Sequence, residues 1–339
     1  MKKILRSQIP ALLAALAEKE TLYLPVDGKS GAEYKRYEEG DVLSQALNTN
    51  RSAKDFFFPQ VENMAEFKVE GKKIEISDIR KEAEDFIVFG ARACDVRSFE
   101  VLDRVFLADP VDTFYKKRRE HATVVAIACG MPEETCFCSV FGINAAKPLG
   151  DVSAWYVGEE FYLSANTEKG EALLNKVDAL LSDGEKDKVL AEQEKIEKIL
   201  SALPLKNLST ENFTADRLME LFNDPAWAEL SASCIGCGTC TFVCPTCQCF
   251  DIRDFDTGNG IQRYRCWDSC MYSDFTQMAA DQPRLTQLER FRQRFMHKLV
   301  YYPANNDGLF SCVGCGRCLA KCPISMNIAK VMKKIGGDK

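Results

Sequence analysis

The sequence predicts an α/β N-terminal domain followed by an all-α C-terminal domain, and three observations carry that division. Two short apolar runs, residues 86–89 and 123–128, bracket a stretch in which Val96, Phe99, Leu102, Val105 and Phe106 recur at helical spacing. Cysteine is distributed unevenly: four of the 16 lie in residues 1–231 and twelve in residues 232–339. The long insert between two cysteine-rich runs of the second part is largely helical in pattern.

In chain order, the opening residues faintly imitate a signal peptide, with Met1-Lys2-Lys3 before the apolar stretch 9–17. Arg6, Gln8 and Pro10 interrupt it, so an amphipathic opening helix is the better reading. Residues 22–26 suit a strand, and 66–76 a hairpin around Gly71. The runs 86–89 and 123–128 have the continuous apolar character of fully buried strands. With the helix 96–106 between them they form a strand–helix–strand unit, which favours a parallel sheet. Residues 168–181 and 186–200 are further amphipathic helices, separated by Ser182-Asp183-Gly184. Leu203-Pro204 ends the second. The expected domains are therefore 1–205, a connecting helix over 206–231, and 232–339.

Composition narrows the function. A net charge of −6 argues against a nucleic-acid partner. No apolar run approaches the roughly 20 residues of a membrane span. With no credible leader, the chain is expected in the reduced cytoplasm, where many cysteines point to metal ligation rather than disulfides. With only two histidines, His121 and His297, mixed Cys/His zinc and His-ligated haem are poor candidates.

The strongest signal is a repeated motif. Cys234-x2-Cys237-x2-Cys240-x3-Cys244-Pro245 recurs as Cys312-x2-Cys315-x2-Cys318-x3-Cys322-Pro323. Three cysteines on a tight loop, opened by Gly236/Gly238 or Gly314/Gly316, can wrap three corners of a 4Fe–4S cubane. The fourth, followed by proline, faces away and ligates the other cluster. The expected sets are Cys234, Cys237, Cys240 and Cys322 for one cluster, and Cys312, Cys315, Cys318 and Cys244 for the second. Paired structural zinc sites are the alternative, but usually show a longer spacer between cysteine pairs. Cys244-Pro245-Thr246-Cys247 also has the spacing of a redox dithiol, although Cys244 is already committed.

The 67 residues between Cys244 and Cys312 exceed what a minimal dicluster module uses. Helical patterns at 270–278 and 285–301 suggest a helical-ferredoxin-type arrangement. The second carries Arg290, Arg292, Arg294 and Lys298, just after Arg284. This basic run is either a solvated face, an offset to the cluster charge, or a docking surface for an acidic partner.

The remaining cysteines form two sets. Cys94, Cys129, Cys136 and Cys138 fall near neighbouring C-terminal strand ends, where ligands usually bind, and make a candidate third 4Fe–4S site. Cys247, Cys249, Cys266 and Cys270 either hold a further metal or line the helices.

Together these residues resemble a known family. Gly90-Ala91-Arg92-Ala93-Cys94-Asp95, Leu102-Asp103-Arg104-Val105-Phe106, Tyr115 with Arg118-Arg119, and Cys136-Phe137-Cys138 are similar to the A subunit of anaerobic sulfite reductase. They are equally similar to the iron–sulfur beta subunit of NAD(P)-linked hydrogenases, the sulfhydrogenases. Cys244-Pro245-Thr246-Cys247-Gln248-Cys249, Trp267-Asp268-Ser269-Cys270-Met271 and His297-Lys298 extend the resemblance over residues 56–330. The chain departs from it at 280–284, where a Gly-His segment is replaced, and at Cys266.

The resemblance implies a non-catalytic electron-transfer subunit. It would work beside a subunit binding FAD or FMN and NAD(P)H, and beside a catalytic reductase or hydrogenase subunit. The chain shows no G-x-G-x-x-G fingerprint after a strand and no Walker A loop, in keeping with that role. Two other readings stand beside it: an enzyme turning over a small molecule at its own cluster, and a zinc-stabilised scaffold.

Overall fold

The computed structural model describes residues 1–46, 48–79 and 84–337. The chain opens with strand β1 (Lys2–Leu5), helix α1 (Ile9–Ala17) and the hairpin β2 (Thr21–Gly28)–β3 (Gly31–Arg36). A second hairpin, β4 (Val61–Glu70)–β5 (Lys73–Asp78), leads to β6 (Phe86–Ala91), α2 (Ala93–Phe106), α3 (Thr113–His121) and β7 (Ala122–Ile127). Then come β8 (Val152–Val157), β9 (Glu160–Ala165), α4 (Glu168–Lys176), the two-residue β10 (Ser182–Asp183) and α5 (Lys186–Leu200).

The main sheet has eight strands in the order β10-β1-β9-β8-β7-β6-β2-β3. Its centre, β2-β6-β7-β8, is parallel and its flanks are antiparallel. The expected strand–helix–strand unit is β6–α2–β7. Burial explains the continuous apolar runs. Ile87, Phe89, Val125 and Ile127 pack under Leu12, Leu13 and Leu16 of α1 and Leu173 of α4. Val88 and Val124 face Phe99, Leu102 and Phe106 of α2 and Tyr115 of α3. A strand covered on both faces has no solvated positions to alternate with.

The C-terminal part begins with α6 (Leu218–Phe222) and α7 (Ala226–Ala232), followed by α8 (Thr239–Phe242), β11 (Phe250–Asp256) and β12 (Ile261–Trp267). Next are α9 (Gln287–Met296), one π-helical turn (His297–Tyr301), α10 (Tyr302–Asn305), α11 (Arg317–Ala320) and α12 (Ile328–Ile335). Three expectations need correction. Residues 206–231 hold two short helices after a run of turns, not one connecting helix. Residues 270–278 contain only a 3-10 turn at Asp274–Thr276.

The third correction concerns the fold class, because the C-terminal part is not all-α. β11 and β12 form a hairpin around Gly258-Asn259-Gly260, with both glycines at positive φ, 79° and 158°. This hairpin joins β4 and β5 in a second antiparallel sheet, ordered β11-β12-β4-β5. The two halves of the sequence therefore share a sheet. What holds β12 there is mostly N-terminal. Buried Arg265 binds Glu62 at 2.5 Å and also Asp112, the N-cap of α3. Trp267 stacks on Phe58 and donates Nε1–H to its carbonyl at 3.1 Å.

A second tie joins α11 to α2. Arg317 donates Nη1–H to Asp95 Oδ1 at 2.9 Å and Nε–H to the Thr49 carbonyl at 2.9 Å. Both charged side chains are buried, at 3% and 1% exposure, so each depends on the other for neutralisation. Asp95→Asn leaves the guanidinium buried and unpaired. It should cost about 3–5 kcal/mol, seen as a lower midpoint in an anaerobic thermal melt. Pairing it with Arg317→Met should recover much of the loss.

Candidate metal centre

Both cysteine runs fold alike, because their glycines occupy equivalent places. Gly236 and Gly238 flank Cys237 with φ of 67° and 72°, and Gly314 and Gly316 flank Cys315 with φ of 57° and 76°. Left-handed backbone on either side of the middle cysteine curls the loop and turns its amides inward, a concavity suited to an anionic centre. Each loop ends in a short helix, α8 or α11, and these two helices pack together. The spacing from the third cysteine to the fourth then carries Cys244 and Cys322 across to the opposite loop.

The structure brings Cys234, Cys237, Cys240 and Cys322 around one cavity, closed by Met271, Phe291 and Phe295. Cys312, Cys315, Cys318 and Cys244 are electrostatic neighbours and form the second set. Cys240 lies near both Cys244 and Cys318, so the sets adjoin. Among the described residues, no three His, Cys, Asp or Glu side chains converge on a point that would hold a single metal ion. Mononuclear zinc needs that convergence. Four thiols spread around a cavity suit a cubane, which offers each thiol its own iron. The donor set and the glycine cradle therefore fit 4Fe–4S clusters.

Burial sets the electrostatics. Desolvation raises the Cys315 thiol to about 11 and pushes Cys312 up as well. Such thiols become thiolates only against bound positive charge, which iron supplies. Two cations from the expected basic run turn out to be buried here. Arg294 is 2% exposed and donates Nη2–H to the Cys240 carbonyl at 3.1 Å. Lys298, in the π-turn, is 4% exposed and donates Nζ–H to Thr246 Oγ1 at 2.9 Å and to the Ser311 carbonyl at 3.1 Å. Burial opposes the charge on each. For Arg294 the thiolates of Cys240 and Cys318 outweigh it; for Lys298, those of Cys244 and Cys247 do. The solvated-face reading fails for these two residues, although Arg290 and Arg292 stay partly exposed.

The four N-terminal cysteines also gather. Cys94 opens α2, Cys129 follows β7, and Cys136 and Cys138 lie in the next loop. Cys94 and Cys138 are buried in one apolar cluster with Cys315, and Cys129 and Cys136 pack against it. Burial raises Cys129 to about 11 and Cys138 to about 12. Contact with the second loop is direct: the Phe137 amide donates to the Gly314 carbonyl at 2.8 Å. Asn48 bridges as well, its Nδ2–H reaching Cys136 Sγ at 3.5 Å and the Cys315 carbonyl at 3.0 Å. Asn48 and Lys54 were not legible as site residues, because nothing in their local sequence marks burial beside distant thiols; for Asp95 and Arg317 the adjacent cysteines were visible, but not their pairing with each other.

Residues 233–326 match the family model of a 4Fe-4S dicluster domain. With the two glycine-turned cysteine loops, this defines the class: an iron–sulfur electron-transfer protein. The whole chain is 30% identical to sulfhydrogenase 2 subunit beta of Pyrococcus furiosus over 336 residues, 98% of this chain and 97% of that one. The chain belongs to the sulfhydrogenase beta-subunit family. No solved structure matches it. Among the described residues, no helix is long and apolar enough to cross a membrane.

Gly314 offers a test of this packing. A Cβ there would lie 2.5 Å from the Phe137 carbonyl carbon and oxygen, on a backbone at φ 57°. Gly142, at φ 68°, has nothing within 4 Å of its would-be Cβ. Gly142→Ala should cost only the left-handed penalty of about 1–2 kcal/mol and keep its iron. Gly314→Ala should cost more and lower the iron content of anaerobically purified protein.

Proposed function

We propose that the chain relays electrons in an anaerobic, cytoplasmic oxidoreductase complex of hydrogenase type. FAD or FMN and NAD(P)H sit on one partner subunit, and substrate turnover takes place on another. The relay comprises one 4Fe–4S cluster on Cys234, Cys237, Cys240 and Cys322 and a second on Cys312, Cys315, Cys318 and Cys244. A third lies on Cys94, Cys129, Cys136 and Cys138. Each cluster changes by one electron, so the series would divide two-electron hydride chemistry into single steps.

The observation that carries this reading is the adjacency of the three cysteine sets. The first meets the second through Cys240, and the second meets the third through Gly314 and Cys315. The relative named sulfhydrogenase 2 subunit beta favours a hydrogenase partner over a sulfite reductase. Within the chain, the residues hold thiols in place, exclude water from them and set the local charge.

Reducing the anaerobically purified complex with NADH or NADPH tests the proposal. The clusters should develop the electron paramagnetic resonance signals of the reduced state; hydrogen gas, also a reductant, should produce the same signals, and protons reduced at the catalytic partner should reoxidise the clusters. Clusters that remain oxidised throughout turnover would defeat it. Lys298→Met removes a buried positive charge beside Cys244, which favours the oxidised cluster, so potentiometric titration should show a lower midpoint for the second cluster.

A further inference from the structure

The three proposed sites leave Cys247, Cys249, Cys266 and Cys270. The structure separates Cys266 from the others. It lies on β12 opposite Asp251 and Val61, and its strand neighbours Arg265 and Trp267 face the buried side. Its titratable neighbours are Arg253, Asp251 and Asp268, with no cysteine among them.

The other three lie in one neighbourhood without closing on a single point. Cys247 and Cys249 leave the Cys244-Pro245-Thr246 turn, and Cys270 approaches from the segment after β12. Cys249 and Cys270 are near enough to perturb each other's ionisation, and Cys247 is an electrostatic neighbour of Cys270. Backbone pairing holds the two segments together, the Asp268 amide donating to the Cys249 carbonyl at 2.9 Å.

A second, independent feature is Lys54. It is 1% exposed, its Nζ–H donates to the Cys247 carbonyl at 3.0 Å, and its ammonium lies 3.5 Å from the Trp267 ring centroid. Its neighbour Asp55 is held by Arg51. Lys54, Arg294 and Lys298 donate to backbone carbonyls and a threonine hydroxyl. Among the described residues, none of the three makes an ion pair with a carboxylate. Arg294 and Lys298 keep their charge beside the thiolates, whereas burial lowers Lys54, which stays an ammonium only where a further anion lies against it. The second cluster faces Lys298 and Arg294, but Lys54 faces Cys247 as well as Cys244.

We infer that Cys247, Cys249 and Cys270 bind a fourth 4Fe–4S cluster through three thiolates, with one iron left to a non-cysteine, exchangeable ligand. It rests on the reading of this chain as an iron–sulfur protein, but not on the third cluster. Next to Cys244, it gives the second cluster a further one-electron neighbour, and no bond is made or broken in the exchange. The proximity of Cys249 and Cys270 would also suit a disulfide, which the test separates.

Iron and acid-labile sulfide are counted on the anaerobically purified complex for wild type, Cys249→Ala/Cys270→Ala, Cys94→Ala/Cys129→Ala and Cys266→Ala. The first pair should lose about four irons and four sulfides per chain, and Cys266→Ala should lose none. A wild-type count for Cys249→Ala/Cys270→Ala overturns the fourth site, as does a Cys249–Cys270 disulfide found by mapping under denaturing conditions. A wild-type count for Cys94→Ala/Cys129→Ala removes only the third. Should the first pair fail to assemble, wild-type complex is titrated with ferricyanide. A three-cysteine cluster should shed its exchangeable iron and give the signal of an oxidised 3Fe–4S centre before the other clusters degrade. Absence of that signal, with iron for no more than three clusters, overturns the inference.

Discussion

The Arg317–Asp95 ion pair joins two cysteine-bearing elements at their most sensitive points. Arg317 lies between Gly316 and Cys318 in the second loop, and Asp95 follows Cys94 at the start of α2. Their 2.9 Å contact therefore sets the second and third cysteine sets against each other. Asp95 also accepts the Arg92 amide at 3.2 Å, closing the N-terminus of α2. One buried carboxylate thus caps a helix, neutralises a guanidinium and positions a thiol. Thr49 and Asn48 complete the seam from a third segment.

Charge balance explains much of what surrounds this seam. Buried thiols resist ionisation, and buried cations resist remaining charged. Placing Arg294 and Lys298 beside Cys240, Cys244 and Cys318 lets each class of group relieve the other. Arg317 and Arg265 solve the same problem differently, with carboxylates. Arg317 does both, pairing with Asp95 while lying beside Cys315 and Cys94. A cluster bordered by buried positive charge is easier to reduce than one facing only apolar groups.

The small sheet joins the iron–sulfur part to the α/β part by backbone pairing. β12 pairs with β4 across nearly 200 intervening residues, and its buried side chains, Arg265 and Trp267, reach N-terminal partners. The hairpin signal at Gly258-Asn259-Gly260 was present locally. The helical period of Leu288, Phe291, Phe295 and Leu299 further along the insert masks it. That stripe is sound, as α9 and the π-turn bury Phe291, Phe295 and Leu299.

The sequence alone determined whatever depends on short-range spacing. The buried strands read over residues 86–89 and 123–128 followed from their continuous apolar character, and the two cysteine loops from cysteines three apart with glycines between them. The pairing of Cys322 with the first loop and Cys244 with the second was also legible, because proline and helix direction turn the fourth cysteine away. Tertiary structure decided what spacing does not encode. It set Cys94, Cys129, Cys136 and Cys138 against Cys315, parted Cys266 from Cys247, Cys249 and Cys270, and buried Lys54 beside Cys247. Those placements depend on how distant segments meet, and a lysine or cysteine carries no local mark of which buried neighbour it will face.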